Sequence, residues 1–332
     1  MTKDPHFDRV AAAVQKHGGA LKSMNPLYGG ACQENYKVEV TLDGATQLFA
    51  LRSDPRSSLH GSLRRKQEYQ VVRAAVAAGM KTPAARWLES DLVRPGADAY
   101  FLDWVEGEAI GRRVVRNAEL EAARGRLPKQ LAQSLAFLHR VTPAAGGDLG
   151  IAVPKLSPAE SAFEQLCVML DALPDPHPAV EYAIAWLREH VPEQESVVLC
   201  HGDFRTGNFM VTPEGLSGVL DFEFAHWGSR YEDLAWISVR DWRFGRNELP
   251  IGGFARREDF YRAYGEAYGR EVDMERILFW EIMGNLRWAV GSAGQGERYL
   301  TGAEADLEMI AIARRAVEME YEALRLIRKK RV

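Results

Sequence analysis

Between residues 200 and 223 the chain reads CHGDFRTGNFMVTPEGLSGVLDFE, which sets Asp203, Asn208, Asp221 and Glu223 among apolar runs. Residues 197–200 have the pattern of a buried strand. Residues 208–211 and 216–221 predict a hairpin turning at Pro213, Glu214 and Gly215. A turn centred near Glu214 puts Asn208 opposite Asp221, and directly opposed side chains have β-carbons about 4.5–5.5 Å apart. One amide and one carboxylate at that spacing suit magnesium, which takes hard oxygen ligands and usually only one or two carboxylates. Asp203 precedes Asn208 in a loop entered from the buried strand, where a carboxylate can accept a proton from a substrate hydroxyl or orient it. The plain alternative is that Asp203 and Asn208 cap turns.

HGDFRTGN followed by DFE resembles the catalytic loop and metal-binding motif of the aminoglycoside phosphotransferase branch of the protein-kinase-like fold. The protein-kinase counterparts are H-R-D-x-x-x-x-N and D-F-G. GSRYEDLAW (228–236) also resembles that family's segment after the metal site. The resemblance implies Asp203 as catalytic base, Asn208 and Asp221 as magnesium ligands, ATP as phosphoryl donor and a small-molecule hydroxyl as acceptor. It further implies that His201 and Asp233 brace the loop, although Asp233 suits a helix N-terminus equally well. Glu223 stands where protein kinases have glycine, and either assists a second metal or faces solvent. DFE in place of D-F-G, with no A-P-E motif after it, separates the chain from protein kinases. A weak or inactive nucleotide-binding protein is the rival expectation, favoured by an arginine at position 52 and opposed by the intact Asp203, Asn208 and Asp221.

These residues need a scaffold, and the expected one is an α+β, protein-kinase-like fold. A small N-terminal lobe (1–103) has a five-stranded antiparallel sheet and one helix inserted at 62–80. A hinge (104–108) leads to a larger, mainly helical lobe (109–332) holding the catalytic loop and acceptor site. A short helix over 6–17 opens the chain. Residues 36–41 alternate, with Tyr36, Val38 and Val40 on one face. Asp43-Gly44 marks a hairpin turn into the next strand. Further helices are predicted from Pro128 as a first-turn residue and over 158–171, 178–190, 255–269, 273–290 and 303–329.

By resemblance, Gly29 and Gly30 let backbone amides approach phosphates, and Asn35 ends that loop. Arg52 stands on the third strand where most of the family has lysine; kinase-like domains fused to acyl-CoA dehydrogenases are similar in carrying "LR" here. A solvated arginine at a strand end is the alternative. Glu68 falls on the apolar face with Val71, Val72, Ala75 and Val76, so it needs a cationic partner. Arg52 is the expected partner and Arg64 the local rival. Asp103, Trp104 and Val105 form the expected adenine hinge.

A net charge of −4, without a long basic run, argues against nucleic acid or an anionic membrane as partner. The 3 cysteines are widely spaced, and no signal-peptide or membrane-spanning run is evident, so a cytoplasmic location is expected. Oligomeric state is not legible. Trp227, Tyr231, Trp236, Trp242, Phe244, Trp280 and Trp288 are expected mainly in the core. Glu232, Asp241 and Glu281 keep a cationic acceptor in play.

Overall fold

Alternating strands build the sheet that carries the first half of the site. The computed structural model describes residues 6–27, 34–55, 61–193, 196–303 and 305–330. Strands β1 (Ala20–Pro26), β2 (Asn35–Leu42), β3 (Ala45–Ser53), β4 (Ala85–Ser90) and β5 (Asp98–Asp103) form a five-stranded antiparallel sheet in the order β1-β2-β3-β5-β4. Asp43 and Gly44 turn the β2–β3 hairpin with positive φ values of 53° and 78°, the conformation that Asp-Gly supplies most readily. The period of two along β5 sends Phe101 to one face and Tyr100 and Leu102 to the other.

Two helices cover those faces. On α1 (Phe7–Lys16), Val10 and Val14 pack with Val38, Val40, Phe49, Leu51 and Phe101. On α2 (Arg65–Ala77), Val71, Val72 and Ala75 meet Tyr100 and Leu102, and this core continues into the second lobe. Val76, expected beside them, is exposed at the edge of that face.

The second lobe contains α3 (Gly111–Arg116), α4 (Glu121–Leu138), α5 (Pro158–Asp171), α6 (Pro178–Glu189), α7 (Arg230–Trp236), α8 (Arg257–Tyr268), α9 (Met274–Leu300), α10 (Glu308–Ala313) and α11 (Ala316–Lys330). Short strands β6 (Val197–Cys200), β7 (Phe209–Thr212), β8 (Gly215–Val219) and β9 (His226–Ser229) lie among them. No helix of the described residues is long and apolar enough to cross a membrane.

Several details differ from expectation. Pro128 lies inside α4 rather than at its start, because burial of Leu127, Leu131 and Leu135 outweighs the single hydrogen bond that proline cannot donate. The helix α9 runs on to Leu300, and the predicted helix over 303–329 is two, α10 and α11. Gly296 explains part of this: a β-carbon there would lie 2.7 Å from Ala313 Cβ, so glycine lets α10 close onto α9. Strand β9, unanticipated, pairs antiparallel with β6. In the β7–β8 hairpin a bulge between Met210 and Val211 shifts the register. The turn itself is tighter than expected, with Thr212 opposite Gly215, and the bulge recovers only one of the two positions this shifts. Asn208 therefore faces Leu220, whose N–H donates to its carbonyl at 2.8 Å, and not Asp221.

The C-terminal helix docks on its own lobe through charge. Glu322 on α11 is fully buried and accepts bonds from Arg243 at 2.8 Å and from Arg325 at 2.6 and 2.8 Å. Burial opposes its ionisation, but Arg325 and Arg243 overcome this and bring the carboxyl down to about 2 from 4.5. A folded value below the unfolded one stabilises the protein above about pH 4.5, and that stabilisation fades as pH falls toward 2. Glu322→Gln should therefore cost about 1.5–3 kcal/mol at neutral pH, the range for hydrogen bonds to charged groups. Urea denaturation at pH 7 and pH 3 checks this: the gap to wild type should narrow at pH 3, and equal midpoints at pH 7 would refute it.

Candidate active site

The loop 201–208 leaves β6 and is clamped from below by Asp233, in the first turn of α7. Asp233 accepts the His201 N–H at 2.6 Å and the Gly202 N–H at 2.9 Å. Its third donor is His139 Nε2 at 3.1 Å, whose Nδ1 lies 2.8 Å from the Tyr264 hydroxyl. Burial holds His139 below its ordinary value, hence neutral, so Nε2–H donates to Asp233 and Nδ1 accepts from Tyr264. Burial opposes the charge on Asp233 as well, yet the hydrogen bond from His139 and the His201 amide keep its carboxyl low. Gly202 has φ of 80°, and a β-carbon there would sit 2.1 Å from the Phe224 carbonyl oxygen, so only glycine fits. His201 Nε2 donates to the Leu220 carbonyl at 2.9 Å, tying the loop to the far end of the hairpin.

Asp203 sits at the mouth of this loop, its side chain 14% exposed. Trp236 Nε1 donates to Oδ1 at 2.7 Å and Asn208 Nδ2 donates to Oδ2 at 2.6 Å. Arg205 Nε lies 3.1 and 3.2 Å from the two oxygens. Asn208 Nδ2 also donates to the Asp203 carbonyl at 2.9 Å, so its Oδ1 is the atom left for a cation. Arg287 donates to the Gly202 carbonyl at 2.9 Å and lies 4.6 Å over the Trp236 ring.

Across the cleft, Arg52 is a buried hub rather than a solvated strand end. In the sheet it stands opposite Asn35. Its Nη2 reaches Glu68 Oε1 at 3.0 Å and Asp221 Oδ1 at 2.7 Å, joining the two lobes. Burial works against the Asp221 carboxylate, and the charge and hydrogen bond of Arg52 hold it below its ordinary value. Arg64, the expected rival for Glu68, turns instead to Asp54 at 2.9 Å. The second partner of Glu68 is Arg65, fully buried and also bonded to the Ser53 carbonyl at 3.1 Å. Glu223 is part-buried, 3.9 Å from Arg65 Nη1; burial and the neighbouring Asp221 charge push its carboxyl up to about 7.

An oxygen-only donor set, the Asn208 amide oxygen and an ionised Asp221, fits magnesium. Arg52 Nε and Arg65 Nη2 are buried with no hydrogen-bond partner among the described residues, which leaves cationic N–H groups beside that donor set. Gly29 and Gly30 lie outside the described residues. At the hinge, Asp103 N–H is taken by Ala84 and Trp104 N–H by Leu48, at 3.0 and 3.1 Å. The Asp103 carboxylate is held by Arg86. Of the three expected hinge residues, Val105 alone keeps a backbone N–H unclaimed by the described residues.

The chain's aromatic residues behave mainly as core: Trp227, Tyr231, Trp236, Trp242 and Trp280 are buried. Residues that sequence reasoning missed are Arg65, Arg205, Trp236 and Arg287. Arg65 had a signal, the i,i+3 spacing to Glu68 on one helix face. Arg205 lies two residues after Asp203 and had a local signal too, whereas Trp236 and Arg287 meet Asp203 and its loop only through tertiary packing.

Known proteins resemble this chain in sequence and in fold. The family model described as "Phosphotransferase enzyme family" matches residues 25–280. Acyl-CoA dehydrogenase family member 10 of Mus musculus is 26% identical over 200 residues, covering 58% of this chain and 18% of that protein. Family member 11 of Gallus gallus is 25% identical over 303 residues, covering 83% and 38%. The chain thus spans well under half the length of either relative. A solved Ralstonia eutropha structure assigned to the aminoglycoside phosphotransferases superposes with a TM-score of 0.75 at 20% identity, covering 97% of this chain and 98% of that one.

Proposed function

The chain belongs to the phosphotransferase enzyme family, and from that premise we propose that it is a magnesium-dependent kinase transferring the γ-phosphoryl group of ATP to a hydroxyl of a small molecule. The observation that carries this is the 2.7 Å contact between Arg52 and Asp221, which sets a β3 cation against a carboxylate of the opposite lobe. Asp203 orients the acceptor hydroxyl and takes its proton. The hydroxyl oxygen then forms a bond to the γ-phosphorus as the bond from that phosphorus to the β,γ-bridging oxygen breaks, and ADP leaves. Asn208 and Asp221 would hold magnesium, which supplies neutralisation of phosphate charge. Arg52, fixed by Glu68, presents its guanidinium to the phosphates, and Val105 offers its N–H to the base. Arg65 keeps Glu68 in place behind them.

Calorimetry tests this with wild type and Asp221→Asn, titrated with magnesium–ATP, with GTP, and with ATP lacking metal. Binding that needs the metal and is lost in the variant is the expected result. A folded wild type that binds no nucleotide at millimolar concentration would overturn the proposal.

A further inference from the structure

The carboxylates that kept a cationic acceptor in play are spent inside the fold. Glu232, 8% exposed, is held by His226 Nε2 at 2.9 Å and Arg287 Nη1 at 2.6 Å. Asp241 pairs with Arg315 and accepts from Trp288 Nε1 at 2.7 Å. Glu281 is buried between Arg243 and Arg257. An ammonium group would have to displace an internal partner to reach any of them.

Cations, by contrast, stand at the open side of Asp203. Arg205 is 26% exposed, and its guanidinium stacks 4.4 Å over Trp242. Its Nε serves Asp203 and its Nη1 the Thr206 carbonyl, while Nη2 has no partner among the described residues. Arg287, 28% exposed, stacks on Trp236 beside it. Arg205 spans from Asp203 to Trp242, within the lobe expected to hold the acceptor site. A guanidinium fork with a free N–H matches a carboxylate or phosphate and repels an ammonium.

We propose that the phosphoryl acceptor carries an acidic group, carboxylate or phosphate, and that Arg205 recognises it with Arg287 adding to the field. The proposal rests on the kinase function above; the acidic group is unchanged by the reaction, and only the acceptor hydroxyl exchanges its proton for the phosphoryl group.

Matched probes test it: 4-(hydroxymethyl)benzoate, its methyl ester, 4-(hydroxymethyl)phenyl phosphate and 4-(aminomethyl)benzyl alcohol. Binding is read from tryptophan fluorescence, since Trp236 and Trp242 carry the two guanidiniums, and turnover from ADP release. The acid or the phosphate should bind at least tenfold more tightly than ester and amine, and whichever is tighter identifies the acidic group. Arg205→Gln, checked for unchanged melting, should erase that preference, and Arg205→Lys should restore part of it. Equal or tighter binding of the amine, no saturable response to either acid, or a preference that survives in Arg205→Gln would overturn the proposal. Magnesium–ATP calorimetry on the same wild-type sample separates its failure from failure of the kinase function.

Discussion

Asp203→Asn is expected to lower kcat by about 10²–10⁴-fold, the usual worth of a positioned general base, which is about 3–5 kcal/mol of barrier. The side chain has little freedom to compensate. Trp236, Asn208 and Arg205 fix its carboxylate from three sides. Asparagine keeps the size and can still accept from Trp236 through its oxygen. Its NH₂ must then face Asn208 Nδ2, and two donors cannot bond each other. Magnesium–ATP affinity should change only a few-fold, because Arg52, Glu68 and Val105 approach from the other side of the cleft. ADP release with a saturating acceptor, beside calorimetry of the same variant, reads both quantities. A kcat above a tenth of wild type would remove Asp203 from the role of base. A large loss of nucleotide affinity would instead mean that the substitution had disturbed Asn208.

The chemistry-bearing loop was legible because its parts are local. Asp203, Asn208 and Asp221 lie within one hairpin and its entry, and the apolar runs flanking them could only be buried strands. The alternation of β2 and the Asp43-Gly44 turn were legible for the same reason. Register was harder. The turn closes with Thr212 opposite Gly215, tighter than expected, and a bulge between Met210 and Val211 gives back one position, so Asn208 meets Leu220. Nothing in a hydrophobic pattern marks such a bulge. The clamp on the loop was out of reach in another way: His139 and Tyr264 are distant in sequence from Asp233, and only packing of α4, α7 and α8 brings them together.

The ion pairs show how fine that limit is. Arg64 and Arg65 are adjacent, and each is within a turn of Glu68. Helix phase decides between them: Arg65 points inward with Glu68 and Val72, while Arg64 sits at the N-terminal boundary and reaches Asp54. The acidic residues Glu232, Asp241 and Glu281 keep a cationic acceptor in play until Arg287 on α9, Arg315 between α10 and α11, Arg257 on α8, and Arg243 are in place. Burial of a carboxylate requires such a partner. The sequence contains the arginines, but their assignment depends on the fold.

Arg52→Met should cost about 3–5 kcal/mol of stability, the penalty for removing one partner of a buried ion pair, and should weaken magnesium–ATP binding by tenfold or more. One Nη2 atom serves both Glu68, whose side chain is 1% exposed, and Asp221. With a thioether in its place, Asp221 loses its only ion-pair partner among the described residues, and among them Glu68 retains only Arg65. Arg52→Lys separates the two consequences. An ammonium restores the charge between the carboxylates, so most of the stability should return. It does not restore the planar fork, so phosphate binding should recover less completely. Urea denaturation and nucleotide calorimetry on the two variants read these effects independently. Wild-type stability in Arg52→Met would show that the two carboxylates find another neutralising group, and Arg52 would then act on the nucleotide alone. Wild-type nucleotide affinity in the same variant would confine Arg52 to the opposite role, a cation that only holds the lobes together.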